Sequence, residues 1–318
     1  MARADLLVDL VDAERRGDRD RFRVLVEALI AEERAKQHHL VADRLSELIT
    51  ATGQNAPRDA HTETVGDLVQ QIVPQRRLED LELAVVPRRL LAELVEEHKR
   101  SDLLRSYGIE PRNRILLSGP PGNGKTSVAE AIAAELMLPL YVVRYEGVVS
   151  SFLGETAARL DSVFEFARTR RCVLFFDELD SIAKERSDAH ETGEIKRVVS
   201  TLLLQIDRLP PHVLLVGASN HSELLDRAAW RRFQIRAELS PPSRAQATRF
   251  LERLSARLGG DLGYSPRTLA DKLAGASFSE LEEFALDVRR RMILELPDGD
   301  SRRIAQERLE HRRTEVVG

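Results

Sequence analysis

Residues 115–126 read Ile-Leu-Leu-Ser-Gly-Pro-Pro-Gly-Asn-Gly-Lys-Thr, an apolar run that ends in Gly119, Pro120, Pro121, Gly122, Asn123, Gly124, Lys125 and Thr126. The spacing G-x-x-x-x-G-K-[ST] is that of a phosphate-binding loop. A polyphosphate tail carries several negative charges that must be met by convergent donors, and glycines let successive backbone N–H groups turn inward without a Cβ in the way. The apolar run supplies a buried strand before the loop. Thr126, Ser127 and the residues after them open a helix whose N-terminal dipole favours the anion. In this arrangement Lys125 bridges the β- and γ-phosphates, and the Thr126 hydroxyl is a ligand for Mg2+.

A second apolar run, Cys172-Val173-Leu174-Phe175-Phe176, ends in Asp177-Glu178. At the carboxyl end of a buried parallel strand these acids face the crevice where ligands bind in open α/β sheets. Asp177 is placed to hold Mg2+ directly or through water, and Glu178 to polarise an attacking water. Alone, an apolar run ending in acids says little, because many strands do so. After a phosphate loop it completes a site.

Further strands are expected at Leu140 to Val143, Val213 to Val216 and Ile235 to Leu239, separated by helical patterns at Ala157 to Arg168 and Glu194 to Leu204. Strands that alternate with helices imply a parallel sheet covered on both faces. Beyond Pro241-Pro242 the pattern is helical only, with segments at Arg244 to Leu258, Thr268 to Ala274 and Ser279 to Leu294. Upstream, residues 1–52 place Leu6, Leu7, Leu10 and Val11, then Phe22, Leu25, Val26 and Leu29, at helical spacing, which predicts a small helical domain. Residues 53–74 read as a linker, 75–240 as the α/β nucleotide-binding domain, and 241–318 as a helical lid with a C-terminal tail. Adjacent His38 and His39 lack a third ligand nearby and read as surface residues.

With both halves of the site in place, residues 75–296 resemble the AAA family of ATPases. The resemblance implies an α/β P-loop NTPase fold, with a C-terminal helical lid and here an N-terminal helical domain, and it implies ATP and Mg2+ as the bound pair. The family's acidic strand continues D-E-x-D, matched by Asp177-Glu178-Leu179-Asp180. Val216-Gly217-Ala218-Ser219-Asn220 puts Asn220 where the family carries the polar residue that orients the attacking water. Leu225-Asp226-Arg227-Ala228-Ala229-Trp230-Arg231-Arg232-Phe233 is similar to the segment whose arginines reach into the site of a neighbouring protomer, so Arg231 and Arg232 are implied as arginine fingers. Ile109, Ser277, Ser279 and Ser127 are carried over as further nucleotide contacts.

The segment Ser151-Phe152-Leu153-Gly154-Glu155-Thr156 resembles the aromatic-hydrophobic-glycine pore loop of protein-remodelling members of the katanin, spastin and FtsH type. By that resemblance Phe152, Leu153 and Gly154 face the channel of a ring, where an aromatic side chain grips extended polypeptide. Residues 187–193, with His190, take the place of a second pore loop. Two departures from the pattern stand out. Where the family's lid signature has glycine before its acid, this chain has Gly275-Ala276-Ser277-Phe278-Ser279-Glu280. The D-G-F segment that the family uses between protomers reads Asp207-Arg208-Leu209.

A net charge of −4 speaks against a dedicated nucleic-acid binder, and no apolar stretch approaches the ~20 residues that span a bilayer. The N-terminus lacks the apolar core of a signal peptide, and the expectation is a cytoplasmic protein. The single cysteine, Cys172, cannot form an internal disulfide and sits where a small buried residue belongs. Of 48 basic residues only six are lysine (36, 99, 125, 184, 196 and 272), so the loop kept its amine in a chain that otherwise prefers arginine. The expected function is an ATP-hydrolysing remodeller or unfoldase acting as a homo-oligomer, a hexameric ring, with a client protein engaged by the pore and the N-terminal helices. No H-E-x-x-H metal-binding protease motif is present, so any proteolysis falls to a separate partner. The competing readings are a regulatory or scaffold ATPase and, third, a DNA-associated loader.

Overall fold

Cys172–Phe176 is buried at every position, and so is Val213–Ser219, which is how strands read when helices cover both faces of a sheet. The computed structural model describes residues 66, 68–144, 148, 153–183, 192–225, 227–296 and 299–317. The chain divides into two units, Met1–Ala60 and His61–Gly318, and all described residues belong to the second. The expected N-terminal helices, His38 and His39, Phe152, and residues 187–191 with His190 lie outside the described residues.

The second unit runs β1 (Val69–Ile72), α1 (Val85–Lys99), α2 (Ser101–Ser106), β2 (Arg114–Ser118), α3 (Lys125–Leu136), β3 (Leu140–Val143), α4 (Leu153–Arg168), β4 (Cys172–Phe176), α5 (Leu179–Ala183), α6 (Thr192–Asp207), β5 (Val213–Ser219), α7 (Arg227–Arg232), β6 (Ile235–Glu238), α8 (Arg244–Leu258), α9 (Pro266–Lys272), α10 (Phe278–Leu294) and α11 (Ser301–Val317). The sheet order is β1-β3-β4-β5-β2-β6, parallel except for β1. The expected parallel α/β core is therefore present, with an antiparallel edge. That edge corrects the linker reading of 53–74: Val69–Ile72 pairs with Leu140–Val143 as a strand of the sheet. Its sequence, Val-Gln-Gln-Ile, has two glutamines at its centre and gave no apolar signal.

Alternate residues of the strands feed two separate cores. Leu116, Leu174, Phe176 and Leu215 pack with Leu160, Phe164 and Leu202 of α4 and α6 on one face. Ile115, Leu117, Val173, Phe175 and Val216 pack with Leu91, Leu94, Val128 and Ile132 of α1 and α3 on the other. Each fully buried Leu, Ile or Phe removes enough apolar surface from water to contribute about 2 kcal/mol before entropy is counted. Cys172 lies within the first core, where burial pushes its thiol up to about 11. Such a thiol is not nucleophilic at neutral pH.

The helices after β6 have a third core of their own, built around Leu251, Leu254, Leu269, Leu281, Phe284 and Val288. Ser243 and Ser277 cap α8 and α10, each in a reciprocal box with the residue three positions on, Gln246 and Glu280. The expected C-terminal tail is the helix α11, which adds Ile304, Ala305 and Leu309 to this core. The lid is held to the rest of the unit by Glu82, which receives Arg249 at 2.8 Å and also pairs with Arg253. Among the described residues, no helix is long and apolar enough to cross a membrane.

Candidate nucleotide site

Three segments emerge side by side from the carboxyl edge of the sheet, because β4, β5 and β2 are adjacent and in register there. Ser118 pairs with Ser219 and Phe176 with Gly217, so the phosphate loop and Asn220 leave their strands at one level and Asp177-Glu178 leave the adjacent β4 two residues earlier. Strands about 4.8 Å apart put these groups within reach of one bound ligand. The Gly119 N–H donates to the Ser219 carbonyl at 3.2 Å, tying the loop to the middle strand of the three.

The loop's glycines are required by geometry. Gly119 has φ +137°, and a Cβ built on it would lie 2.2 Å from the Leu239 carbonyl oxygen. Gly119→Ala is expected to cost about 3 kcal/mol through backbone strain and the clash, read as a lowered melting temperature of the nucleotide-free protein. Gly122 has φ +75°, and a Cβ there would meet the Ser277 hydroxyl at 2.6 Å. Loop and lid also share a hydrogen bond, from the Ser279 N–H to the Gly122 carbonyl at 3.0 Å. The structure thus brings Ser277 and Ser279 to the loop. Asn123 is buried; its amide donates to the Pro120 carbonyl at 3.3 Å, and its Oδ1 has no partner among the described residues.

Lys125 is only 7% exposed and opens α3 with its ammonium turned back on the loop, donating to the Gly119 carbonyl at 2.7 Å and the Pro120 carbonyl at 3.1 Å. Burial pushes this ammonium below the usual lysine range, and the carboxylates of Asp177 and Asp180 oppose that shift. Thr126 and Asp177 stand together, hydroxyl to carboxylate at 3.5 Å. A hydroxyl and a carboxylate of this kind, beside phosphate oxygens, make the hard oxygen donor set that suits Mg2+.

Glu178 is exposed and has φ +49°, a left-handed backbone that costs a residue with a side chain about 1 kcal/mol. The turn is closed by its N–H on Asp177 Oδ1 at 3.0 Å and by its carbonyl, which accepts from the Ser181 N–H at 2.8 Å. Asn220 is half-buried, and its side-chain amide has no partner among the described residues. Leu153 and Gly154 open α4, downstream of the sheet edge. Arg232 is paired within the chain, bonded to Asp207 at 2.9 Å, while Arg231 is exposed and unpaired among the described residues.

Beside the loop lies a cavity of about 100 Å³ lined by Arg76, Leu81, Leu83, Val128, Phe250 and Phe278, among others. Its walls mix apolar side chains with polar and charged ones such as Asp80, Glu82 and Glu282, and the Phe250 and Phe278 rings meet edge to face at 5.1 Å. Ile109, expected as a nucleotide contact, does not line it. Ile109 is 55% exposed beyond α2, and the stretch Asp80–Leu83 lines the cavity, because the chain passes the lid there before α1 begins. Sequence reading missed this wall. The one available signal was the apolar pair Leu81 and Leu83 just before a helix.

With this geometry in view, the similarities to known proteins are informative. The family model described as "ATPase family associated with various cellular activities (AAA)" matches residues 115–241, from within β2 to just past β6. A protein of Sinorhizobium fredii, named uncharacterized AAA family ATPase y4kL, is 38% identical over 93% of this chain and 91% of its own length. The chain belongs to the AAA family of ATPases. The peroxisomal ATPase pex6 of Schizosaccharomyces pombe is 42% identical, over 40% of this chain and only 14% of its own length. Among solved structures, the FIGL-1 AAA domain superposes with a TM-score of 0.64 at 21% identity, covering 80% of this chain and 90% of that one. That likeness concerns the fold. As an AAA protein, the chain carries an ATP-hydrolysing module.

Proposed function

We propose that this AAA protein is an ATP-driven protein remodeller that works as a homo-oligomeric ring of six protomers. The observation that carries the reading is the side-by-side exit of the phosphate loop, Asp177-Glu178 and Asn220 from three adjacent strands, with Arg231 exposed and unpaired among the described residues. In it, the loop amides and Lys125 hold the β- and γ-phosphates, and the aromatic cavity takes the base. Thr126 and Asp177 hold Mg2+, which neutralises charge on the phosphates. Glu178 accepts a proton from the attacking water and Asn220 orients that water. Arginines from the next protomer meet the charge that develops on the transferring group.

The client-facing part rests on Phe152-Leu153-Gly154, which resembles a pore loop, and on residues 1–52 as the segment that selects the client. Phe152→Ala is expected to leave basal ATPase within about twofold, since the pore-loop reading gives Phe152 no part in hydrolysis and substitutions outside a site have small effects. ATP-dependent unfolding of a tagged test protein should fall at least tenfold. Unfolding that survives the substitution favours instead a regulatory ATPase whose nucleotide state gates partner binding, and strongly salt-sensitive DNA binding would favour a loader.

A further inference from the structure

The two adjacent arginines of α7 are in different situations. Arg232 is spent inside its own protomer: Nε donates to Asp207 Oδ2 at 3.0 Å, a terminal nitrogen lies 2.9 Å from the same oxygen, and the other donates to the Ala228 carbonyl at 2.8 Å. Its side chain is 28% exposed. The second oxygen of Asp207 lies 3.6 Å from Arg114, at the foot of the strand that leads into the phosphate loop. One carboxylate thus joins the arginine segment to β2. Arg231 has none of this, being exposed with no hydrogen bond or ion pair among the described residues.

A helix of six residues has little stability of its own, so α7 takes its orientation from what it is tied to. Phe233, at its end, is buried against Gly217 of β5, where an added Cβ would come within 3.2 Å of the ring. Gln234 accepts the N–H groups of Asn113 and Arg114 at 2.9 and 3.1 Å, and Arg236 lies over Trp230, 5.1 Å from the ring centroid. The Phe233 and Gln234 ties lead back to β5 and β2, the strands that bear Asn220 and the loop. The Arg232–Asp207 pair is the charged member of the set.

We infer that the two arginines divide the work, Arg231 being the charge offered to the nucleotide of the neighbouring protomer and Arg232, through Asp207, the positioning residue that aims it. This rests on the ring reading above. To reach a phosphate elsewhere Arg232 would have to surrender two hydrogen bonds, one of them to a carboxylate that it also meets as an ion pair, whereas Arg231 has none to give up among the described residues.

The test uses the full chain and measures kcat, KM and nucleotide affinity for Arg231→Ala, Arg232→Ala, Arg232→Lys, Asp207→Asn and the Asp207→Asn/Arg232→Ala double variant. Arg231→Ala should lower kcat by ~10³-fold or more with nucleotide affinity unchanged, the loss expected when such a charge is removed. Arg232→Ala and Asp207→Asn should each lower kcat by about 10- to 100-fold, as misplacement does, and the double variant should be no worse than either single one. Arg232→Lys, which keeps a bond to Asp207, should recover most of the loss and guards against an Arg232→Ala chain that does not fold. The division of labour is overturned if Arg232→Ala equals or exceeds Arg231→Ala while Asp207→Asn is silent. The ring reading itself fails, distinguishably, if both arginine-to-alanine variants keep full kcat.

Discussion

Glu178→Gln is expected to bind ATP with unchanged affinity and to hydrolyse it about 10²- to 10⁴-fold more slowly, the usual contribution of a positioned general base. The amide is isosteric, so the left-handed turn at Glu178, closed by the Asp177 carboxylate and the Ser181 N–H, survives the change. The side chain is exposed and the substitution leaves no buried group unpaired, so stability should stay within about 0.5 kcal/mol of the parent. Calorimetric titration with ATP and a phosphate-release assay on the same preparation check both halves. Turnover within about threefold of the parent would remove Glu178 from the reaction, since a general base contributes far more.

Lys125→Ala should act earlier, on binding. The ammonium makes two hydrogen bonds to loop carbonyls and, with nucleotide bound, is expected to exchange them for phosphate oxygens. Charge-assisted bonds contribute about 1.5–3 kcal/mol each, so losing two predicts a loss of ATP affinity of at least ~10²-fold. Lys125→Arg is the sharper comparison. The chain accepts arginine almost everywhere else, yet a planar guanidinium cannot fold back into a pocket in which Lys125 is 7% exposed, so arginine should fare no better than alanine. Retention of ATP binding by the arginine variant would mean that charge alone suffices at this position.

The sheet and the phosphate and acid segments were legible because each rests on a strong local signal. A continuous apolar run as short as 172–176 reads as a strand covered on both faces, and the glycine spacing of the loop has few other uses. What escaped was set by tertiary packing. β1 is an edge strand of four residues paired on one side, with exposed glutamines at its centre, so its sequence looks like linker. The wall of the aromatic cavity joins Leu81 and Leu83 to Phe250 and Phe278, residues far apart in the chain, and no local pattern announces such a meeting. Arg231 and Arg232 are identical in sequence terms; only the placement of Asp207, at the end of another helix, tells them apart.

Glu82 links the lid to the segment before α1 and has a further role in the helix it touches. Arg249 and Arg253 are one helical turn apart on α8, and two like charges at that spacing weaken a helix by a few tenths of a kcal/mol. Glu82, with a side chain only 9% exposed, cancels both at once from outside the helix. Glu252, on α8 itself, adds a weaker attraction to Arg249. The seam between lid and sheet is thus held here by charge rather than by contact area, and an attraction of this kind weakens as ionic strength rises.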